Sequence, residues 1–537
     1  MGLKTIFTES TIAKYVRKIR ESPSQLIANY HLLSTVTYYA LCGFPLAWDQ
    51  ASSGVVPSLP GFKNTFRISS ATNAKDISNF VSFVYIGAGV GAGLAYFFND
   101  RIGRRWSTRL YMTVWMVGQL IATFSEGSLG ALYTARIISG LGIGATTVIG
   151  PVGVVETAPV EFRGLIGAWF NLYMLMGGFV STFTTLGVYL HVPEGRLQYQ
   201  IVFFVPIIFS GFHTALSFFV CESPRWLYLS DKHEECIETL QKLRGLPLED
   251  ARVQTELKEL QRSVQRQRSI GPGIVAAVRQ TFLVPSNLRR VQQVVFAYAL
   301  AQLSGANNIT SYLMPILKMI GTGGGPDRSM FISGMYDALG RRKSMIFGIT
   351  VQMISDIYIA VFIKCRQDGP TPSASAGKAA IAMIFVHGFG YATGLLVLPY
   401  VFGAELWPDE IRSFGASFGQ LFHWFFYYGL NQGLPSLLSE THNWGAFVFF
   451  AAWCFIAGIY TFFVIPETAG RSFEEMEYLF EQPIYKAYRT SKQLEKSCST
   501  SSDMERGVEV DEITDASSSS SGGHEARKGA AIIISQC

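Results

Sequence analysis

The sequence predicts an all-α protein that crosses a lipid bilayer many times, and three observations support this. The 537 residues are 49% hydrophobic and only 15% charged. Several long stretches carry no charge, and at 1.5 Å per residue a helix of about 20 residues crosses a hydrocarbon core of about 30 Å. These stretches also lack the alternation of apolar and polar residues that is typical of membrane β-barrels.

Eleven predicted spans follow in order along the chain. Each contains at most one charged residue, such as Asp49, Arg136 or Asp356. The spans lie at about 32–56, 78–99, 107–125, 128–155, 164–190, 199–221, 291–317, 344–363, 379–404, 413–439 and 441–466.

The spans form two groups on either side of a polar segment. Residues 1–30 are polar and basic, which predicts a cytoplasmic N-terminal segment and no cleavable signal peptide. Residues 31–221 form the first transmembrane half, and the leucine spacing of 222–290 predicts a cytoplasmic loop with short helices. The second half covers 291–465, and the polar, Ser-rich residues 466–537 form a cytoplasmic tail that we expect to be mostly disordered.

Composition argues against several other classes of protein. The net charge of +5 fits basic residues in short cytoplasmic loops better than a nucleic-acid patch. The seven cysteines are scattered, which predicts neither a disulfide framework nor a metal site. Two Gly-rich strings, 87–93 and 140–145, resemble dinucleotide fingerprints but lie inside predicted spans, where they favour close helix packing. We therefore expect no enzyme, catalytic residue, cofactor or nucleic-acid partner.

Charged phrases recur in the same order in both halves, at an offset of roughly 240 residues. This recurrence predicts two homologous halves arranged as a parallel repeat. The first copy contains Asp100, Arg104, Arg105, Glu156, Arg163, Glu222 and Arg225, and the second contains Asp337, Arg341, Arg342, Glu405, Arg412 and Glu467.

The second half lacks a span that the first half has. Two spans precede Asp100, but only 291–317 precedes Asp337. The stretch between them is Gly-rich and charged, and its last apolar part, 329–336, gives only about 12 Å of helix. An odd number of spans also places the basic residues after Asp337 outside, against the positive-inside preference. We expect that the eighth helix is missing, through a misassembled gene model or a splice variant, and that such a chain folds poorly.

Eight phrases together match one known family. They are "DRIGRR" at 100–105, "ARIISGLGIGA" at 135–145, "ETAPVEFRG" at 156–164, "CESPRWL" at 221–227, "QLSGANNITSY" at 302–312, "DALGRR" at 337–342, "AELWPDEIRS" at 404–413 and "PETAGR" at 466–471. On these phrases the chain resembles the sugar-porter branch of the major facilitator superfamily, in particular fungal permeases for quinate or hexoses. It departs from the family at Cys221, where Pro is usual, and at Ala301, where Gln is usual.

The resemblance implies a major facilitator fold with two six-helix halves, reduced here to about eleven spans. It further implies secondary transport of a hexose, pentose or quinate by alternating access, with a proton as co-substrate, in the plasma membrane and with both termini cytoplasmic. Two alternatives stay open: a transporter-like nutrient sensor, and a non-functional product that lacks one helix. Accumulation of labelled substrate separates transport from sensing.

The charged phrases lie at corners between spans and loops. One interpretation is a tight turn that sets orientation. The other is a cytoplasmic gate, in which Arg side chains bind carboxylates of neighbouring helix ends when that side is closed. The resemblance supports the gate, with Glu156 and Glu222 as partners in the first half and Glu405 and Glu467 in the second.

Asp49 and Arg136 are candidates for proton coupling. A carboxylate in hydrocarbon must be paired or protonated, and Arg136 is the natural partner because protonation of Asp49 would break the pair. Proton-symporting members of the family carry these residue types at both positions. A static pair, or an Asp49 near the outer surface, remains an alternative. Asp356 has no obvious partner in the sequence.

The resemblance also implies the substrate contacts, which suit a hydroxyl-rich ligand because amides donate and accept hydrogen bonds and aromatic rings stack on sugars. His423 is unusual for a plain hexose site and fits an acidic substrate such as quinate, although a packing role explains it equally well. The candidate substrate-binding residues are Asn171, Gln302, Asn307, Tyr400, His423 and Trp424.

Overall fold

The computed structural model describes most of the predicted transmembrane region. The described residues are 19–20, 22–68, 74–159, 162–271, 273–312, 316, 342–369, 373–395, 406–408, 410–464 and 480. The chain divides into two units, residues 1–461 and 462–537.

The regular structure of the described residues is helical. The first half and the central loop contain α1 Ser24–Ile27, α2 Tyr30–Ala40, α3 Phe44–Val55, α4 Pro60–Phe66, α5 Ala74–Ile102, α6 Arg104–Thr123, α7 Leu129–Thr157, α8 Arg163–His191, α9 Leu197–Leu216, α10 Pro224–Leu229, α11 His233–Arg244, α12 Ala251–Ile270 and α13 Ile274–Leu283. The second half contains α14 Pro285–Leu303, α15 Ala306–Ser311, α16 Arg342–Asp368, α17 Ala374–Thr393, α18 Arg412–Glu440 and α19 Trp444–Phe463.

Six of these helices are long and apolar enough to cross a membrane by length and composition. They are Lys75–Ile102, Leu129–Thr157, Leu165–His191, Leu197–Leu216, Met345–Asp368 and Trp444–Phe463. Each of the other predicted spans also contains a helix, and some of these helices are more polar because they face protein. Helix α18, for example, buries Gln420, His423 and Asn431. The prediction of an all-α membrane protein is confirmed, whereas the missing eighth helix falls on residues 317–341, outside the described part.

Helix α5 lies between α7 of its own half and α18 of the second half. A Cβ at Gly91 would collide with the backbone of Leu141 on α7, whereas a Cβ at Gly89 would lie 2.7 Å from the Phe425 ring on α18. The glycines of the string at 87–93 thus allow close approach on two faces of one helix. This is the helix packing that the sequence favours over a nucleotide-binding turn.

The predicted cytoplasmic loop contains α10 to α13. Leu240 of α11 packs with Val253 and Leu257 of α12 to form a small buried cluster. The Asn29 amide of the N-terminal segment donates to the Lys242 carbonyl of α11 at 2.5 Å, and Arg244 of the same helix donates to the Thr157 carbonyl of α7 at 2.8 Å. Helix α11 is therefore held against the end of a transmembrane helix.

Candidate functional site

An ion pair lies in the centre of the first half. Asp49 of α3 is 2% exposed and Arg136 of α7 is 1% exposed. The Arg136 guanidinium binds one carboxylate oxygen of Asp49, and it also donates to the Ser53 hydroxyl. Two buried charges that face each other in this way avoid the cost of several kcal/mol that an unpaired charge would carry.

Two further helices complete the hydrogen bonds of this pair. The second carboxylate oxygen of Asp49 accepts from the Gln119 amide at 3.0 Å and faces the Trp115 indole nitrogen at 3.4 Å, both on α6. The Arg136 Nε donates to the Phe80 carbonyl of α5 at 3.0 Å. Four helices of the first half therefore meet at this ion pair. The sequence predicts the pairing of Asp49 with Arg136 but not these supporting residues, which have no common motif.

A second charged cluster lies at the predicted cytoplasmic end of the first half. The Arg104 guanidinium donates to both carboxylate oxygens of Glu156, at 2.8 and 2.9 Å, and to Asp100 at 2.9 Å. The Ser223 hydroxyl donates to Glu156 at 2.6 Å, and the Arg225 Nε lies 3.9 Å from it. Fork-shaped pairing of this kind gives strong and directional bonds. The structure thus brings together the first-half residues that the gate interpretation requires.

Glu222 joins the same cluster through the backbone. Its carboxylate accepts from the backbone N–H groups of Arg104 at 3.0 Å and of Arg105 at 3.1 Å, the first two residues of α6. A helix N-terminus favours a negative charge at this place. Gly103 has φ +90°, and a Cβ there would lie 2.9 Å from the Glu222 carboxylate. Burial nevertheless raises the pKa of Glu222 above its ordinary value.

The remaining gate candidates divide into described and undescribed residues. Arg225 also donates to Ser263 at 2.5 Å and to Gln267 at 2.8 Å, which links the cluster to α12. Arg163 begins α8, and Arg412 begins α18 and is buried. Asp337, Arg341, Glu405 and Glu467 lie outside the described residues, as does the side chain of Arg342.

A third polar cluster lies where α14 ends and α15 begins. The Gln302 amide nitrogen lies 3.1 Å from His423 Nδ1, and the Asn307 amide donates to Gln302 Oε1 at 3.1 Å. Between the two helices Gly305 has φ +82°, and a Cβ there would lie 2.5 Å from the Phe450 ring. The glycine allows the helix break that places the Asn307 amide against Gln302, which in turn contacts His423 of α18.

Aromatic residues extend this cluster to the first half. Trp424 stacks on Tyr85 with ring centroids 5.9 Å apart, and its indole N–H donates to Thr147 at 3.2 Å. The Tyr427 hydroxyl lies 3.1 Å from the Ser311 hydroxyl and 3.4 Å from the Tyr85 hydroxyl. The two halves therefore meet at α18 through rings and hydroxyl groups.

Some residues of this cluster were missed, one predicted residue lies on another helix, and one lies outside the described part of the chain. Tyr427 was detectable, because it is four residues after His423 and shares its helix face. Tyr85 and Thr147 carry no such signal. Asn171 lies on α8, and its Oδ1 has no hydrogen-bond partner among the described residues. Tyr400 lies outside the described residues.

Asp356, for which the sequence indicated no partner, has one in the structure. The His387 Nδ1 of α17 lies 3.0 Å from its Oδ1, and both side chains are fully buried. The sequence could not reveal this pair, because the two residues belong to different helices and share no motif.

A helical membrane domain with a buried polar centre between two halves defines a multi-pass membrane transporter. Residues 35–480 match the family model described as "Sugar (and other) transporter". The chain belongs to this family of transporters.

Relatives with assigned names agree with this family. A probable quinate permease of Aspergillus terreus is 28% identical over 489 residues, which cover 85% of this chain and 88% of the permease. The quinate permease of Emericella nidulans is 27% identical over 482 residues, which cover 85% of this chain and 90% of the permease.

Solved structures show the same fold. The proton:xylose symporter XylE bound to 6-bromo-6-deoxy-D-glucose has a TM-score of 0.70 and 19% identity, and the match covers 84% of this chain and 99% of XylE. A partially occluded inward-open form of XylE from E. coli has a TM-score of 0.66 and 17% identity, with 82% and 99% covered. The predicted major facilitator fold is confirmed.

Proposed function

We propose that this chain is a secondary active transporter that takes up quinate or a similar polyhydroxy compound together with a proton. It works by alternating access in the plasma membrane, with both termini cytoplasmic, and carries out no enzymatic reaction. The observation that carries the proposal is the buried pair of Asp49 and Arg136, because a titratable carboxylate inside a transporter provides a place for the proton.

Proton coupling follows from the contacts of Asp49. In its ionised form the carboxylate binds Arg136 and accepts from Gln119. A proton on the carboxylate removes the attraction and one acceptor site, so α3 and α7 are held together less firmly. The first half therefore favours one helix arrangement when Asp49 is protonated and another when it is ionised. Coupling of transport to a proton requires such a difference.

The substrate site of the proposal is the cluster of Gln302, Asn307 and His423, with Trp424 beside it. Two amides suit the hydroxyl groups of a polyol, and the Trp424 ring suits its apolar face. His423 suits the carboxylate of quinate, since a neutral imidazole that accepts from Gln302 at Nδ1 carries an N–H donor at Nε2. The names of the fungal relatives support this substrate class.

The gate of the proposal is the cluster of Arg104, Glu156 and Glu222. Its bonds join the ends of α6 and α7 to the segment that leads into α10. Separation of these ends requires that the bidentate bonds break, so the cluster stabilises the state in which the cytoplasmic side is closed.

Uptake assays in a host without sugar transporters test the proposal. Labelled quinate, glucose, fructose and xylose are compared between pH 5 and 8, with Asp49→Asn as the coupling variant and the exposed Glu126→Gln as its matched control. We expect quinate to accumulate best at low pH, and Asp49→Asn to abolish accumulation. Normal surface expression without uptake of any of the four compounds would overturn the proposal and favour a sensor.

A further inference from the structure

A second buried carboxylate lies in the other half of the transporter. Asp356 is near the middle of the 27-residue helix α16, and its partner His387 lies on α17. The imidazole Nδ1 is 3.0 Å from the carboxylate Oδ1, and both side chains have 0% exposure. A pair at this depth lies far from bulk water, so any net charge on it is costly.

A chain of polar groups leads from this pair to the proposed substrate site. The Gln352 amide nitrogen, one turn before Asp356, lies 3.3 Å from His387 Nε2 and 3.5 Å from the Ser304 hydroxyl. Ser304 stands at the break between α14 and α15, next to Gly305. The same break positions Gln302, which contacts His423, and Asn307, which donates to Gln302.

Acceptors outnumber donors in this group. Both carboxylate oxygens of Asp356, Gln352 Oε1 and His387 Nδ1 are buried without a hydrogen-bond partner among the described residues, so the 3.0 Å approach of Nδ1 to Oδ1 is an ion-pair contact. The donors are the amide N–H groups of Gln352 and a proton on the His387 imidazole. One additional proton supplies the missing donor and cancels the negative charge, so the arrangement suits proton binding.

Other titratable groups near the pair are few in the described part of the chain. Cys454 of α19 interacts electrostatically with Asp356, and its Sγ lies 4.0 Å from the Ser304 carbonyl. Tyr391 lies one turn beyond His387 on α17. A neutral thiol and a neutral phenol leave His387 as the group that can share a proton with Asp356 near neutral pH.

We propose that Asp356, His387 and Gln352 form a second proton-binding site, separate from Asp49 and Arg136, that adjusts the helix break carrying Gln302 and Asn307. Without the extra proton, His387 Nε2 accepts from the Gln352 amide nitrogen, which also faces Ser304. With the proton on Nε2, the imidazole donates, so the Gln352 amide turns its oxygen toward it and the contact with Ser304 changes. The proton comes from and returns to solvent, and no covalent bond other than N–H is made or broken.

Infrared spectroscopy of the purified full chain in nanodiscs, between pH 5 and 9, tests the site directly. The wild type should show changes in carboxyl and imidazole bands, and Asp356→Asn should remove the part of these changes that persists in Asp49→Asn. His387→Gln should remove the imidazole bands and shift the midpoint of the remaining Asp356 carboxyl change by about one pH unit or more, the scale of a nearby charge. Asp49→Asn is the matched control from the first half and should leave the change in place.

Two results would overturn the inference. One is a wild-type spectrum without such a change between pH 5 and 9, and the other is an unaltered change in Asp356→Asn. If Asp356→Asn does not fold, as judged by circular dichroism, His387→Gln decides the outcome. The inference rests on the proposed function for its effect on transport. Because the spectra need no substrate, a failure of quinate uptake and a failure of this proton site are distinguishable.

The effect on the substrate site is measured by equilibrium binding of labelled quinate across the same pH range. In the wild type, the affinity for quinate should change with pH. Part of this change should remain in Asp49→Asn, and the remaining part should disappear in the double variant Asp49→Asn with His387→Gln. Identical pH profiles of the single and double variants would show a static pair instead.

Discussion

Arg104 and Glu156 are joined by two parallel hydrogen bonds of 2.8 and 2.9 Å, between the first residue of α6 and the last turn of α7. Arg104 is 2% exposed, so water competes little with this pair. The bond therefore provides a strong connection that must open if the ends of the two helices separate.

Arg104→Gln should slow transport while the protein still reaches the cell surface. The substitution leaves Glu156 with fewer partners, and breaking a buried pair typically costs about 3–5 kcal/mol. We expect the initial rate of quinate uptake, normalised to surface expression, to fall at least about tenfold, since about 1.4 kcal/mol corresponds to that factor. Arg101→Gln, at an exposed position of α5, is the control. A normal rate in Arg104→Gln would contradict the gate.

Asp49→Asn should separate exchange from accumulation. The amide keeps the size of the side chain but cannot take up a proton in the working pH range. We expect quinate exchange between two loaded compartments to continue, whereas accumulation driven by a pH gradient disappears. Counterflow and uptake in proteoliposomes measure the two activities. Accumulation at the wild-type level would indicate that the pair is static.

His423→Gln should change substrate preference. If His423 binds a carboxylate, the KM for quinate should rise about tenfold, because one charge-assisted hydrogen bond contributes about 1.5–3 kcal/mol. The KM for glucose should change much less. His442→Gln, at an exposed position after α18, is the control. Equal losses for both substrates together with a lower unfolding temperature would favour a packing role.

Gly91→Val should destabilise the first half. A Cβ at this position would collide with the Leu141 backbone, and overpacking typically costs about 1–3 kcal/mol. Gly187→Val is the matched control, because a Cβ there meets no atom within 4 Å. Thermal unfolding of the two purified variants measures the difference. Equal unfolding temperatures would show that α5 and α7 can separate at no cost.

The gap before Asp337 predicts a longer natural transcript. We expect sequencing of the messenger RNA to reveal about 20 further apolar codons in this region, enough for one span. A chain restored in this way should unfold at a higher temperature and accumulate more quinate than the present chain. An uninterrupted transcript that encodes the present join would contradict the prediction.

Much of the architecture follows from local properties of the sequence. In lipid, a charge-free run of about 20 residues can form all of its backbone hydrogen bonds within itself only as a helix. The all-α membrane fold was therefore predictable. The Gly-Arg-Arg phrase and the downstream glutamates likewise predict a charged turn between two spans, because charged residues are rare in this chain. Asp49 and Arg136 stood out for the same reason, as isolated charges inside apolar spans.

Tertiary structure alone decided which of these groups meet and in what manner. Glu222 is held by the backbone N–H groups at the start of α6, which no side-chain pattern indicates. The pair of Asp356 and His387 depends on how α16 packs against α17. The spacing of residues along a helix shows on which side of the helix a residue lies, but not which other helix packs against that side. Charge-free runs along the chain thus determined the helices. The contacts between the helices arose only from packing, because they join residues that are distant in sequence.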